Sequence, residues 1–432
     1  MSVPVPAAPS STLRQRVRHP SIGVLRALGP GLVTGAADDD PSGIATYSQV
    51  GAQFGYSIAW TMVVSLPLMF VIQLLCARIG CVTGQGVAEN LRRHYPRWAL
   101  RAAVLLLLVA NVINLGADLG AMGSAVKLLI GGPALVYTVL LGVLAVVLQV
   151  MIPYSRYSAV LKWLTLSLFA YVGVVFTAHV DWRAMLGQLV APDIVLDKAH
   201  AVALVAVLGT TISPYLFFWQ AGQEVEESRR QNARPLKFAP RRAEGELARI
   251  RLDTGIGMFV SNLIAVFIIT ATAATLHAHG TTNIQTSAQA AEALRPIAGP
   301  FAFLLFAAGI IGTGMLAVPV LAGSAAYAVA ETVGWPGSLE RPPREAKAFY
   351  GVIAAATLGG LTLNFFGIDP IKALFYAAAV NGALSAPLMT LIMLIVANPR
   401  AMGRLSAPMP LRVIGWLATA VMAGVTVAFV VV

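Results

Sequence analysis

From residue 57 onward the chain is a near-continuous series of apolar runs, each about 20 residues long, the length needed to cross a lipid hydrocarbon layer. Backbone donors and acceptors find no partners in lipid, so such runs must be helices or a closed barrel, and runs this long and apolar select helices. Eleven segments qualify: 23–54, 57–80, 100–129, 133–153, 158–179, 199–225, 250–277, 298–330, 347–366, 370–397 and 411–431. Composition agrees, with 57% hydrophobic and only 11% charged residues, whereas soluble domains are nearer one quarter charged. The fold class expected is therefore an all-α polytopic membrane protein. The short link Gly131-Gly132-Pro133 suits a helical hairpin.

The net charge of +11 would suit a nucleic-acid partner, but its placement says otherwise. Arginine and lysine gather before the first span (Arg14, Arg16, Arg18, Arg26) and after every even-numbered one. Arg92 and Arg93, Arg156 and Lys162, a dense run from Arg229 to Arg251, Arg341 and Arg344, and Arg400 and Arg404 mark these loops. The opposite side holds little beyond Lys127, Arg183, Lys198 and Arg295. Positive loops stay cytosolic, so the N-terminus is expected inside and the C-terminus outside, in a bacterial inner membrane. The 229–251 loop has no interleaved aromatics and reads as a membrane anchor rather than a nucleic-acid surface. Trp98, Trp163, Trp182, Trp335 and Trp416 fall near span ends, as an aromatic belt would. No cleavable leader is evident, Cys76 and Cys81 read as reduced structural thiols, and His277 and His279 as an ordinary loop.

The first span is interrupted by Asp38-Asp39-Asp40-Pro41-Ser42-Gly43. An acid at the centre of a spanning helix costs about 2.5–3.5 kcal/mol on insertion scales, and three need a purpose. Pro41 removes a backbone donor and frees a carbonyl one turn back. The sixth span is broken in the same way at Gly209-Thr210-Thr211-Ile212-Ser213-Pro214-Tyr215. Four intact spans separate the two breaks, and interrupted segments at matching positions point to a transporter built from inverted repeats. The division expected is a basic cytosolic tail (1–22), a first repeat (23–180), an external loop with a short surface helix near 182–191 (181–198), a second repeat (199–398), and a cytosolic loop with an eleventh span (399–432).

Successive helical residues point about 100° apart, so three adjacent aspartates cannot all face one ion. Asp40, next to the break, is expected to face it, with Asp39 and Gly43 as further candidates at the metal, while Asp38, and Asp39 where it does not reach the ion, line the access path or pair with polar groups on neighbouring helices. Ser42, Ser213 and Thr210 supply hydroxyls, and freed carbonyls near 36–40 and 208–210 add oxygen donors. Asn381 in the tenth span is a further ligand candidate or an interhelical hydrogen bond, and Asn262 in the seventh is similar. Asp118, alone in the third span, is either part of an ion or proton route or a structural hydrogen bond. Every donor at the breaks is a hard oxygen, which suits Mg²⁺, Mn²⁺ or Ca²⁺, and one or two carboxylates with retained water favour Mg²⁺.

Asp40-Pro41-Ser42-Gly43 resembles the Asp-Pro-Gly-Asn motif in the first helix of natural resistance-associated macrophage protein (Nramp) metal transporters. Ser213-Pro214-Tyr215 resembles the Met-Pro-His motif of their sixth helix, and Asp118-Leu119-Gly120-Ala121 their third-helix Asp-Leu-Ala-Glu pattern. The resemblance runs through nearly the whole chain and implies the LeuT-type fold, two inverted five-helix repeats plus an eleventh helix, and import of divalent metal. It puts the metal-binding aspartate on Asp40. It also puts the family's asparagine ligand on Gly43, its methionine on Ser213, its carbonyl-donating alanine on Thr210, its sixth-helix histidine on Tyr215 and its third-helix glutamate on Ala121. The soft ligand and two members of the proton route are thus replaced, so neither transition-metal selectivity nor proton coupling is carried over. This pattern is closer to the Nramp-related magnesium transporters, which also lose the soft ligand.

The function expected is divalent cation import by alternating access, with no enzyme activity and no cofactor beyond the transported ion. A LeuT-type symporter of a small organic solute is the alternative, and a sensor without transport is compatible with the same features. A membrane enzyme acting on isoprenoid diphosphates fits poorly, because its acids are spaced to converge on one helical face and a second acid-rich motif is missing.

Overall fold

A computed structural model describes residues 29–152, 164–193, 195 and 197–431. The basic tail, Arg156, Lys162, Trp163 and the start of the fifth span lie outside the described residues. In chain order the helices are α1 (Pro30–Asp38), α2 (Pro41–Phe54), α3 (Trp60–Thr83), α4 (Val87–His94), α5 (Arg97–Ile130), α6 (Ala134–Met151), α7 (Phe169–Thr177), α8 (Trp182–Val190), α9 (Lys198–Thr211), α10 (Pro214–Arg230), α11 (Ala243–Thr275), α12 (Ser287–Glu292), α13 (Arg295–Ala298), α14 (Ala302–Val333), α15 (Lys347–Leu363), α16 (Pro370–Ala397), α17 (Pro399–Met402) and α18 (Met409–Val431). Among the described residues nine helical stretches are long and apolar enough to cross a membrane. The first span is present as two pieces, α1 and α2, and the described part of the fifth begins with a 3-10 turn, Leu164–Leu168, that runs into α7.

Each break has a local cause. Pro41 and Pro214 stand at the first position of α2 and α10, where a missing N–H costs nothing. Asp40 and Ser213 immediately before them are extended, with ψ of 173° and 129°. Each half-helix therefore starts afresh beside its proline. The expected surface helix is α8, whose first turn is capped by Asp181 accepting from the Ala184 N–H at 2.9 Å. At the α5–α6 link, Gly131 and Gly132 both take positive φ, 72° and 82°, which favours glycine.

α5 is the central post, with 34 residues and a length of roughly 50 Å. It packs against α6, α14, α15 and α16. α1 and α2 lie along α11, α9 lies on α16, and α10 runs between α3 and α14. α6 and α18 sit at the periphery. Leu140, Val143 and Val147 on α6 and Val413, Leu417 and Val430 on α18 are exposed, an apolar belt fitted to lipid rather than water. Cys76 and Cys81 are buried and free.

Candidate metal site

α2 is capped by its own N-terminal neighbour. Asp40 Oδ1 accepts from the Gly43 N–H at 2.9 Å and from the Ser42 hydroxyl at 2.6 Å. Its other oxygen, Oδ2, accepts from the Tyr215 hydroxyl on α10 at 3.1 Å, and that hydroxyl also lies 3.0 Å from the Ala37 carbonyl. One phenolic proton cannot serve both acceptors at once, so Asp40 keeps lone pairs to spare. Ser42 Oγ lies 3.5 Å from Thr210 Oγ1 on α9, which closes the gap between the two breaks. A Cβ on Gly43 would sit 3.3 Å from both the Asp38 carbonyl oxygen and Thr210 Oγ1 and 3.4 Å from the Tyr47 ring. A glycine at this position lets those groups crowd around Asp40.

The three aspartates divide between two directions, as helical geometry requires. Asp40 faces α9 and α10, while Asp38 Oδ2 and Asp39 Oδ1 both approach the Ser261 hydroxyl on α11, at 2.8 and 3.1 Å. Among the described residues no three His, Cys, Asp or Glu side chains gather as a metal-holding group. A site here would thus rest on one principal carboxylate with neutral oxygens around it. All three aspartates are 3% exposed or less, and none has a salt bridge among the described residues.

The other candidates fall around this centre. Ser213, just before α10, turns its hydroxyl back on the end of α9, where the Gly209 and Thr210 carbonyls each lie 2.9 Å away. The Thr210 carbonyl is therefore already engaged by Ser213, and its hydroxyl is the atom turned toward Ser42. Asn381 on α16 is buried, with neither amide atom hydrogen-bonded among the described residues. It lies next to Gly382, where α16 meets Gly209 of α9: a Cβ on Gly209 would come 2.0 Å from the Ala378 carbonyl and 2.4 Å from the Gly382 nitrogen. Ser385, one turn further, donates to the Ile212 carbonyl at 2.7 Å and so ties α16 to the second break. Asp118 on α5 is buried, both its oxygens are without a hydrogen bond among the described residues, and it interacts electrostatically with Asp40. Asn262 makes an interhelical bond to Ser65 at 3.1 Å. His277 Nδ1 lies 2.8 Å from the Ala52 carbonyl at a helix end.

Sequence reasoning missed two residues. Tyr47 is fully buried beside Thr210 and the three aspartates. It lies seven positions after Asp40, two helical turns along the same face of α2, which is a readable signal. Ser261 is one of two adjacent polar residues in an otherwise apolar run of α11, a weaker one. At the far end of α2, Gln49 Oε1 accepts from the Ile284 N–H at 2.8 Å, and a cavity of about 320 Å³ opens beside Gln49, Gln53, Lys372 and Tyr376.

A sequence model described as "Natural resistance-associated macrophage protein-like" matches residues 31–432. The divalent metal cation transporter MntH of Yersinia enterocolitica is 29% identical over 300 residues, covering 67% of this chain and 69% of its own. MntH of Erwinia tasmaniensis is 28% identical over 313 residues, covering 71% and 72%. The crystal structure of the Eremococcus coleocola manganese transporter, with an aromatic bis-isothiourea substituted compound, superposes with a TM-score of 0.72 at 15% identity. The superposition covers 94% of this chain and 86% of that one. Mhp1, a nucleobase-cation-symport-1 family transporter, superposes less closely, with a TM-score of 0.55 at 16% identity over 92% of both chains. These likenesses give the fold, which is the LeuT-type arrangement of two inverted five-helix repeats with an eleventh helix.

Proposed function

The chain belongs to the natural resistance-associated macrophage protein-like family, and from that premise we propose how its own residues handle the ion. It is an integral membrane transporter that imports divalent metal cations, and an organic-solute role is not favoured. We assign it no catalytic step and no resident cofactor; the ion is cargo.

The observation that carries the reading is Asp40: a buried carboxylate at a helix break, met by the Ser42 and Tyr215 hydroxyls and without a cationic partner among the described residues. A cation there would take Asp40 as its charged ligand. Ser42, Thr210 and Ser213 offer hydroxyl lone pairs, the Asp38 carbonyl beside Gly43 adds an oxygen, and Asn381 offers its amide oxygen. Water retained on the ion fills the remaining positions, which favours Mg²⁺ or Mn²⁺. Asp38 and Asp39 belong to the approach rather than the inner shell, because both are turned toward Ser261. Asp118 serves ion passage or a residual proton route, and Tyr215 fixes Asp40 and α1 together. The basic loops support a cytosolic N-terminus and an external C-terminus in a bacterial inner membrane.

Uptake into proteoliposomes of Mg²⁺, Mn²⁺ and Ca²⁺, with internal pH followed in parallel, tests the reading. Mg²⁺ entry without acidification is the expected result. Mn²⁺ entry that ignores Mg²⁺ and acidifies the lumen would overturn the hard, uncoupled site, and no divalent flux at all would bring the organic-solute symporter forward. Ser213→Met places a soft thioether at the second break. It is expected to raise preference for Cd²⁺ over Mg²⁺ by about tenfold in the same assay, since thioethers select softer ions.

A further inference from the structure

The candidate site lies at the C-terminal end of α1, yet α1 is gripped from its other end. A helix begins with orphan N–H groups, and a side chain at the N-cap position ordinarily takes some of them. Here that position is Gly29, which has no side chain to offer. The donors go instead to one carboxylate on another helix. Asp253 of α11 accepts from the N–H groups of Gly29 at 2.8 Å, Gly31 at 2.7 Å and Leu32 at 3.1 Å. Asp253 is fully buried.

Along its length α1 meets α11 backbone to backbone. A Cβ on Gly31 would come 2.6 Å from the Thr254 nitrogen, one on Gly35 2.3 Å from the Gly257 carbonyl oxygen, and one on Gly257 2.2 Å from the Gly31 carbonyl oxygen. Asp253, Gly257 and Ser261 are four residues apart in turn, so one stripe of α11 touches the start, middle and end of α1. The contact is also tied to α10. Thr34 of α1 donates to the Gln220 side chain, Gln220 Nε2 lies 3.3 Å from Glu224 Oε1, and Arg249 donates to Glu224 Oε2 at 2.6 Å. Arg249 Nη1 lies 3.9 Å from Asp253 Oδ2, which closes a polar ring through α1, α10 and α11.

We propose that Asp253 is a positioning residue for transport. Its carboxylate latches the start of α1 to α11 and keeps the path from that end to Asp40 closed; when the latch releases, α1 leaves as a unit and opens the site. Arg249, one turn before Asp253 on the same helix, holds the carboxylate while α1 is away. Both states of Asp253 are therefore paired, and neither strands a buried charge. The proposal rests on the transport reading for its purpose, but the latch itself is measurable without any ion flux.

Hydrogen–deuterium exchange on the purified full chain in nanodiscs reads the latch directly, through the amides of residues 29–38. Asp253→Ala is expected to speed their exchange at least tenfold, and Asp253→Asn, which keeps one acceptor oxygen, by less, with residues 97–130 of α5 unchanged in both. Gly35→Ala wedges α1 from α11 without touching the carboxylate and should give the same local pattern. In uptake assays Asp253→Ala should raise the KM of the ion several-fold from the side opposite Asp253 while lowering it from the near side. Depleting the far-side state scales affinity in opposite senses on the two faces, whereas mere structural damage lowers rate on both. Exchange in 29–38 within twofold of wild type overturns the latch, as does acceleration of 97–130 alongside it in both the Asn and Ala variants. Unchanged KM on both faces overturns its role in transport. If wild-type protein moves no divalent ion but the exchange pattern holds, the functional reading fails and the latch stands.

Discussion

Asp40→Asn is expected to cut divalent cation uptake by at least about a hundredfold while the protein folds normally. Loss of groups that merely orient a metal ligand costs about 10–100-fold in affinity, so loss of the principal charged ligand should exceed that range. The substitution is a clean one here. Asparagine is as good an N-cap as aspartate, and its carbonyl oxygen can still accept from Gly43 and Ser42. α2 therefore starts where it did, and only the charge is gone. Asp39→Asn is the internal comparison. Its carboxylate faces Ser261 on α11 rather than the second break, and uptake should fall by less than about tenfold, outside the 10–100-fold range of an orienting group. Equal losses in the two variants, read by uptake at matched protein levels, would move the ion to the α1–α11 side.

Gly209→Leu should have the second large effect, on folding as well as function. The Cβ position is 2.0 Å from a backbone carbonyl of α16, and neither backbone can yield without moving a helix. Overpacking of this kind costs about 1–3 kcal/mol when side chains can adjust, and more is expected where only backbone is in the way. The displaced α9 carries Thr210 and the Ser385 contact with it, so the second break shifts away from Asp40. The measured result should be a fall in unfolding temperature on the order of several degrees together with loss of uptake. Gly351→Leu on α15 is the control, because nothing among the described residues lies within 4 Å of its Cβ position, and it should leave both unchanged.

Much of this was readable in the chain because the membrane leaves few choices. Apolar length gives the spans, and two prolines beside polar residues give the breaks at Asp40 and Ser213. The surface helix at 182–190 follows from its short amphipathic run. What stayed hidden concerns partners far apart in sequence. Ser261 lies more than 200 residues from Asp38, and no local pattern says which carboxylate its hydroxyl will meet. Asp253 looks like an ordinary charge near a basic loop until Gly29 is seen to lack a cap of its own. Position beside the break points Ser213 toward the ion, but a hydroxyl beside a freed helix end finds carbonyls three and four residues back at no cost. Local competition of this kind decides where a hydroxyl proton points, and sequence spacing does not record it.

The glycine contact between α1 and α11 has a consequence for hydration. When two helices are sealed by leucines, parting them exposes oil, and a narrow gap between oily walls tends to stay dry. Here the walls are Gly31, Gly35 and Asp38 on one side and Asp253, Thr254, Gly257 and Ser261 on the other. Their bared surfaces are largely peptide groups, hydroxyls and carboxylates. Once α1 lifts, water can enter the gap at once, so the seam that excludes solvent in the closed protein becomes the wettable wall of a channel leading to Asp40.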